Sequence, residues 1–262
     1  MHLLWLLPKN SLSRLVGKLA TLKLPLFFRE SFFKAFGKFF GVDFSEIQKP
    51  LREFESLQDF FIRQLKPGLR PIDSANLVSP CDGVFGQCGQ IKDGQLMQIK
   101  GKNYTLSALL GEEAPGFNNG YFATIYLSPK DYHRFHAPCD ASITRARYIP
   151  GYLWPVNAWA VKNIDQLFCI NERIVCWLGE EAILVAVGAT CVGKVKLAFD
   201  PELTTNIKNA QSILKYYEPA RVFQKGAELG YFEFGSTVVL VTKSKLELFT
   251  QTLTVKLGKS LG

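Results

Sequence analysis

The first 42 residues alternate apolar and polar positions with the period of an α-helix. In the stretch "SLSRLVGKLATLKL" the apolar side chains recur every three or four residues, at Leu12, Leu15, Val16, Leu19 and Leu22. After Pro25 the stretch "LFFRESFFKAFGKFF" repeats this spacing with aromatic residues, at Phe28, Phe32, Phe36 and Phe40. The pattern predicts two amphipathic helices, one on each side of Pro25.

A further helix is predicted between Val42 and about Leu65. Ser56 and Asp59 resemble a capping box at the start of the stretch "SLQDFFIRQL". The turn-forming stretch "KPGLRPID" follows and ends the helical part of the chain.

The rest of the chain consists of short β-branched and aromatic runs separated by Gly, Pro, Asn and Asp. The runs are "YFATIYL", "RIVCWL", "AILVAVGATCVGKVKLAF" and "FGSTVVLVT", and "GEE" between two of them is typical of a hairpin loop. No long helical pattern separates them, which argues against a parallel βαβ sheet. We therefore predict an α+β fold: a mostly antiparallel β domain, residues 43–262, preceded by amphipathic N-terminal helices, residues 1–42.

The net charge of +8 is concentrated in the N-terminal segment. Residues 1–42 carry seven Lys or Arg and one acidic residue, whereas residues 43–262 carry 24 basic and 22 acidic residues. The nearly neutral body argues against a nucleic-acid partner, which needs Lys and Arg clustered on the folded domain. A basic helical segment rich in Phe and Leu is typical of an anchor lying in the plane of an anionic membrane surface. Packing of these helices on the domain or on a second subunit is the alternative.

The cysteines and the N-terminus bear on the compartment. The apolar start "MHLLWLLP" ends at Pro8, far short of the roughly 20 residues that a spanning helix needs, and no small-residue cleavage site follows it. A chain of this length has no need of disulfide staples, and its six cysteines include no C-x-x-C pair. We predict free thiols in a reducing compartment.

His133 and His136 are the only histidines in the body of the chain, within "SPKDYHRFHAP". Their ordinary pKa lies near neutrality, so they are candidates for acid–base chemistry. A metal site formed with Cys139 is the less favoured alternative, because Pro138 opposes the helix that would align the three side chains. We predict no metal site. Asp82, in "SPCDG", has the neighbours of an ordinary turn residue and gains interest only beside other candidates.

The stretch "FEFGSTVVLVT" places Gly235 and Ser236 inside a predicted strand. Ser236, His136 and Asp82 are the residue types of a Ser-His-Asp triad. A serine hydrolase is disfavoured, because the motif G-x-S-x-G is incomplete and a strand follows the serine. Glycine directly before serine suits another reaction, in which the Ser236 hydroxyl attacks the Gly235 carbonyl and forms an ester. β-Elimination then breaks the chain, and hydrolysis leaves a pyruvoyl group.

Six blocks resemble, in order and spacing, the motifs of phosphatidylserine decarboxylase, in its bacterial membrane-associated, pyruvoyl-dependent type. The blocks are "SPCDG", "YHRFHAP", "PGYLWPVN", "NERIVCWL", "VGATCVGKV" and "KGAELGYFEFGSTVV". With "LQDFFIRQLKPGLRPID" ahead of them, the resemblance extends from about residue 54 to 242. Phe234 stands where the family commonly has Leu, and Cys81 stands where a small apolar residue is usual. Both positions stay apolar.

The resemblance implies a self-processing proenzyme. Asp82, His136 and Ser236 fall at the positions of the family's self-cleavage triad. Cleavage between Gly235 and Ser236 would give a β chain, residues 1–235, and an α chain, residues 236–262. Ser236 would become the covalent pyruvoyl cofactor, and His133 matches the histidine that serves decarboxylation.

The resemblance also implies the reaction and its place in the cell. The phosphatidylserine amine would form a Schiff base with the pyruvoyl group, CO2 would leave, and His133 would protonate the α-carbon. Hydrolysis would release phosphatidylethanolamine, a step of phospholipid biosynthesis. The enzyme would be peripheral, on the cytoplasmic face of the bacterial cell membrane, and a homodimer of the two-chain unit.

Two alternatives stay open. One is a pyruvoyl decarboxylase for a soluble amino acid, which the Phe-rich basic N-terminus disfavours. The other is a non-catalytic lipid-binding β-domain in which Gly235 and Ser236 form only a bulge. The mass of the denatured chain separates them, because only the decarboxylases are cut.

Overall fold

The structure, a computed structural model, describes residues 9–98, 102–190, 194–233, 236–246 and 253–262. The helices are α1 (Lys9–Ala20), α2 (Leu26–Phe40), α3 (Leu57–Phe61), α4 (Leu106–Leu110), α5 (Ala158–Asn163) and α6 (Leu167–Ile170). The strands are β1 (Gly83–Gln90), β2 (Gln95–Gln98), β3 (Lys102–Thr105), β4 (Tyr121–Leu127), β5 (Arg134–His136), β6 (Ala141–Ile149), β7 (Arg173–Leu178), β8 (Ala182–Val187), β9 (Val195–Leu197), β10 (Ile213–Phe223), β11 (Glu228–Phe232), β12 (Ser236–Thr242) and β13 (Thr254–Val255).

The strands form one large sheet and two small ones. The large sheet has the order β10-β6-β7-β8-β12-β4-β1-β13, the second has the order β5-β11-β9, and β2 and β3 form a hairpin. All pairings between these described strands are antiparallel. The predicted α+β fold is confirmed, as is the hairpin loop between β7 and β8, where Gly179 adopts a φ of 67°.

Strand β12 lies inside the large sheet between β4 and β8, and all seven of its residues are buried. Its side chains alternate between two cores, with Val238 on one face and Val239 on the other. The same alternation places Ser236 on the face of Val238. That face is covered by the three-stranded sheet, whose Phe135 and Phe232 rings lie 5.1 Å apart.

The two predicted N-terminal helices are confirmed, but their most deeply buried residues are not those of the predicted apolar stripe. Helix α1 buries Ser13 and Ala20, and α2 buries Phe33 and Gly37. The leucines of the predicted apolar stripe remain exposed, namely Leu12, Leu15, Leu19 and Leu22. In α2, Phe27 and Phe39 are 88% and 82% exposed. Two helices thus pack on the domain while presenting apolar side chains to the outside.

The predicted helix from Val42 to Leu65 is wrong in its extent. The segment forms single 3-10 turns at Phe44–Glu46 and Leu51–Glu53, and only α3 is α-helical. Pro50 explains the break, because proline restricts the residue before it and lacks an N–H donor. The helix start at Ser56 is confirmed, since its hydroxyl accepts the Asp59 N–H at 3.2 Å.

The remaining sequence expectations concern thiols and the membrane. The described cysteines are free, namely Cys81, Cys88, Cys139, Cys169 and Cys176. Cys191 lies outside the described residues. Within the described ranges, none of the helices has the length and apolarity that crossing a bilayer requires.

Candidate functional site

The backbone brings the four described site candidates into one region. Asp82 directly precedes β1, His136 ends β5, Ser236 begins β12, and His133 lies in the connection before β5. Ser236 pairs with Leu127, the last residue of β4. The Phe232 N–H donates to the His133 carbonyl at 2.9 Å, and the His136 N–H donates to the Pro80 carbonyl at 2.8 Å. Gly235 lies outside the described residues.

Ser236 is fully buried, and its hydroxyl has no hydrogen-bond partner within the described part of the chain. A buried hydroxyl is normally bonded, because leaving it unpaired costs about 1–3 kcal/mol. An unpartnered hydroxyl at the first residue of a strand is therefore a candidate nucleophile.

His133 is fully buried under the ring of Phe61, at 4.9 Å between ring centroids. Its Nδ1 lies 2.8 Å from the Asp131 carbonyl oxygen. Its Nε2 is buried and has no hydrogen-bond partner among the described residues. Because a carbonyl only accepts, Nδ1 carries the proton and Nε2 carries the free lone pair.

His136, at the end of β5, is hydrogen-bonded in the same way as His133. Its Nδ1 lies 2.9 Å from the Gly226 carbonyl oxygen, and its buried Nε2 has no hydrogen-bond partner in the ranges that the structure describes. Phe135 points into the core, so the strand alternation turns His136 to the other face of β5, beside the ring of Tyr132. Nε2 of His136 and Oγ of Ser236 are not hydrogen-bonded to each other in this arrangement.

Burial lowers the pKa of both histidines. For His133 the pKa falls to about 3, first through desolvation and then through the positive charge of Arg63. For His136 desolvation again is the main cause. The negative charge of Asp82 acts in the opposite direction on both. Both imidazoles are therefore neutral at pH 7, with a free lone pair at Nε2.

The carboxylate of Asp82 is bonded to cations and to a backbone N–H, and not to His136. Arg70 donates to it through Nε and Nη2 at distances of 2.6 to 3.1 Å. Lys256 Nζ lies at 3.4 Å, and the N–H of Leu257 donates at 2.8 Å. The role of Asp82 in orienting His136 stays a prediction, since the Gly226 carbonyl holds that ring here.

Gly83 fixes the position of Asp82 at the start of β1. A Cβ at Gly83 would lie 2.5 Å from the Tyr126 carbonyl oxygen. Only glycine allows β1 to approach β4 this closely. The "SPCDG" stretch is therefore more than a turn, because its glycine seats the preceding carboxylate against the sheet.

Cavities lined by described residues border this region. An apolar one of about 270 Å³ is lined by Phe36, Phe40, Phe61, Tyr126 and Val156, among others. A neighbouring one of about 180 Å³ shares Tyr126 and Val156 and includes Thr237, the residue after Ser236. A charged one of about 160 Å³ is lined by Arg63, Asp82, Asp131 and Lys256, among others. Asp82 thus lines a charged recess, and Phe61, whose ring contacts His133, lines an apolar one.

The sequence reasoning missed three cations at the site: Arg63, Arg70 and Lys256. Arg63 is buried and donates to the carbonyls of Lys130 and Asp131 at 2.6 and 2.9 Å. The sequence did contain a signal for Arg63, because the guanidinium of an arginine within the apolar stretch "DFFIRQL" needs hydrogen-bond acceptors inside the protein. Arg70 and Lys256 carried no such signal.

No group of three potential metal ligands occurs among the residues that the structure describes. The segment from His133 to Cys139 is not helical, since β5 occupies residues 134–136. The three side chains therefore lack the common helical face on which the weaker metal alternative depended.

Comparisons with known proteins show the family to which this chain is related. The model of the family "Phosphatidylserine decarboxylase" matches residues 57–262. A phosphatidylserine decarboxylase proenzyme of Myxococcus xanthus is 43% identical over 273 residues, covering 100% of this chain and 97% of the relative. The proenzyme of Brevibacillus brevis is 42% identical, covering 97% and 92%. That of Helicobacter pylori is 39% identical, covering 97% and 96%. The chain belongs to the phosphatidylserine decarboxylase family.

Proposed function

We propose that this chain is a self-processing proenzyme whose mature form converts phosphatidylserine to phosphatidylethanolamine and CO2 with a pyruvoyl group made from Ser236. One observation carries the proposal. The Ser236 hydroxyl and the Nε2 atoms of His133 and His136 are buried, and none of the three has a hydrogen-bond partner among the residues that the structure describes. They are one nucleophile and two bases, which are the groups that self-cleavage and decarboxylation require.

Self-cleavage begins when Nε2 of His136 takes the proton of the Ser236 hydroxyl. The oxygen attacks the Gly235 carbonyl, the peptide nitrogen leaves that carbonyl, and an ester replaces the peptide bond. β-Elimination then releases residues 1–235 with a new carboxylate and leaves dehydroalanine at residue 236. Water converts this residue to a pyruvoyl group and ammonia. His136 is suited to the first step because its neutral imidazole is held by the Gly226 carbonyl at Nδ1.

The surroundings of Ser236 fit a pyruvoyl group. A pyruvoyl group is small and carries no ionised group, which suits the fully buried position of residue 236. Its carbonyls would bind the substrate amine and take up the electron pair released as CO2 leaves. His133 would supply a proton to the α-carbon from Nε2, and the apolar recess beside Phe36 and Phe61 would exclude water.

The two chains would stay together after cleavage. The α chain would begin with β12, which is hydrogen-bonded to both β4 and β8 and fully buried. Its later part adds the pairing of β13 with β1 and the bond from Leu257 to Asp82. Breaking one covalent bond at the edge of this arrangement leaves these contacts in place.

The N-terminal helices would hold the enzyme on an anionic membrane, on its cytoplasmic face. The exposed apolar residues of this segment include Leu19, Leu22, Phe27 and Phe39. The segment also carries seven Lys or Arg and one acidic residue. Apolar burial and attraction to anionic lipid act together in such segments. A homodimer of the two-chain unit remains part of the proposal, on the family resemblance alone.

The decisive experiment is the mass of the purified protein after denaturation. We expect a 27-residue fragment, residues 236–262, with a pyruvoyl-mass N-terminus. Ser236→Ala should remain one chain and be inactive. Thr242→Ala is the matched control, because Thr242 is a buried hydroxyl residue on the same strand. An intact wild-type chain would contradict the proposal. Activity toward free serine but not toward phosphatidylserine would leave self-processing intact and refute the lipid substrate.

A further inference from the structure

The carbonyl oxygen of Asp131 accepts two hydrogen bonds. Arg63 donates from Nη2 at 2.9 Å, and the ring of His133 donates from Nδ1 at 2.8 Å. A carbonyl oxygen has two lone pairs, so these two donors saturate it. Arg63 and His133 are thereby joined through a single backbone atom.

Two further carbonyls hold Arg63. It also donates to the carbonyls of Lys130 and Phe60, at 2.6 and 3.4 Å. Its guanidinium lies 5.3 Å from the ring of Phe60. Among the described residues it forms no ion pair. A buried guanidinium bound only to carbonyls is costly to keep, since desolvation lowers the pKa of Arg63 to about 10.

The charges around His133 come from three elements. Arg63 follows α3, Asp131 lies on the same connection as His133, and Asp82 precedes β1. The charge of Arg63 disfavours the protonated imidazole, and that of Asp82 favours it more weakly. The ring of Phe61, from α3, covers the imidazole and excludes water.

We infer that Arg63 is a positioning residue for His133. Arg63 holds the Asp131 carbonyl, and this carbonyl keeps the His133 imidazole with Nδ1 protonated and Nε2 without a proton. The inference rests on the proposed role of His133 in decarboxylation. It assigns to a residue outside the triad the task of setting the tautomer and charge of the decarboxylation histidine.

The consequence concerns where the proton comes from. A bare Nε2 has no proton to give, so His133 must first receive one. The substrate supplies that proton, because its ammonium group must lose a proton before the amine can react with the pyruvoyl carbonyl. Its phosphodiester and carboxylate also bring negative charge, which favours the imidazolium. His133 would accept that proton on substrate binding and return it to the α-carbon once CO2 has left. Arg63 keeps the histidine unprotonated until then.

The direct test is ¹⁵N NMR of the histidine rings in the full processed protein, which reads tautomer and charge without an activity assay. We expect His133 in the wild type to have a protonated Nδ1 and a bare Nε2 from pH 5 to 8. Arg63→Gln should give a mixed tautomer and titrate nearer the ordinary value of about 6.5. Arg63→Lys keeps a charge and a donor, so it should retain the wild-type signals in large part.

Arg173→Gln is the matched control. Arg173 is likewise buried and donates to backbone carbonyls, including those of Leu109 and Ala108. Its loss should leave the His133 signals unchanged. His133 signals that are identical in wild type and Arg63→Gln would overturn the inference.

Kinetics separates this inference from the proposed function. In Arg63→Gln we expect kcat to fall roughly 10- to 100-fold, as for a misplaced catalytic group, with partial rescue in Arg63→Lys. The acid limb of kcat/KM should move up toward the titration of a free histidine. A rise in KM alone would mean that Arg63 binds substrate and would overturn the inference. Shifted NMR signals together with full activity of His133→Gln would uphold the Arg63 contact and refute the proposed role of His133.

Discussion

Arg70 holds the carboxylate of Asp82 with two nitrogens, at 2.6 Å from Nη2 to Oδ2 and 2.9 Å from Nε to Oδ1. The side chains are 9% and 1% exposed, so the pair is buried. Removing one member of a buried pair leaves an uncompensated charge, which costs about 3–5 kcal/mol. Lys256 and the N–H of Leu257 still contact Asp82, which favours the lower end of that range.

We therefore expect Arg70→Met to lower the free energy of unfolding by about 3 kcal/mol, measured by urea denaturation at pH 7.5. Lys34→Met is the control, because Lys34 pairs with Glu30 on an exposed helix face. Exposed pairs contribute about 0–1 kcal/mol. Equal losses in the two variants would show that Asp82 does not depend on Arg70.

The two histidines should separate cleavage from decarboxylation. His136→Ala should remain one uncut chain, because the nitrogen that activates the Ser236 hydroxyl is lost. His133→Ala should still be cut, yet lose about 10²–10⁴-fold in CO2 release, the usual contribution of a positioned acid or base. Denaturing mass spectrometry and a CO2 assay give the two readouts. An uncut His133 variant with a native circular dichroism spectrum would refute this division of roles.

The predictability of the fold differed between its two parts. Strand β12 was evident, because the β-branched residues Thr237, Val238, Val239 and Val241 fit a buried strand and little else. The faces of α1 and α2 that pack on the domain could not be predicted, because Ser13 and Gly37 are buried by virtue of their small size. Hydrophobic periodicity finds a helix but identifies its inner face only when the larger apolar side chains are the buried ones.

The candidate site, too, could be predicted only in part. Ser236, His133, His136 and Asp82 could be named from residue type and local motif. Their partners could not, because Arg63 reaches Asp131 across 68 positions and Lys256 reaches Asp82 across 174. Contacts of that sequence separation depend on how the sheets close, and no local pattern encodes them.

Glu172 is a buried carboxyl group that should make stability fall as pH rises. It accepts from the Tyr148 hydroxyl at 3.0 Å and from the Asn206 N–H at 2.7 Å. Burial nevertheless raises its pKa to about 7 from an ordinary 4.5. The folded state therefore holds a proton that the unfolded state loses between those values. The stability is fully present below about pH 4.5 and declines toward pH 7.

Glu172→Gln should remove this decline. We expect the variant to gain up to about 3 kcal/mol over the wild type on going from pH 4.5 to 8, since each pKa unit corresponds to about 1.4 kcal/mol. Urea denaturation across that range gives the difference curve. Glu180→Gln, at a position that is 94% exposed, should give a flat one. A flat curve for Glu172→Gln as well would mean that Glu172 titrates alike in the folded and unfolded states.

The exposed aromatic residues of α2 provide the test of membrane attachment. Phe27 and Phe39 are 88% and 82% exposed, and burying a phenyl ring in an apolar phase contributes about 1.5–3 kcal/mol. An interfacial site buries the ring only in part, so each serine substitution should weaken vesicle binding about tenfold, equivalent to about 1.4 kcal/mol. Cosedimentation with vesicles of phosphatidylcholine containing phosphatidylserine measures the partition.

Val222→Ser separates membrane contact from apolar exposure in general. Val222 is 78% exposed but lies on β10, at the edge of the large sheet. Its substitution should leave binding unchanged, and a loss equal to that of Phe27→Ser would refute attachment through α2. Omitting phosphatidylserine or raising salt should weaken wild-type binding, because the basic residues of 1–42 contribute through screened charge. If vesicle binding changed neither with phosphatidylserine content nor with salt, attachment would rest on the apolar side chains alone.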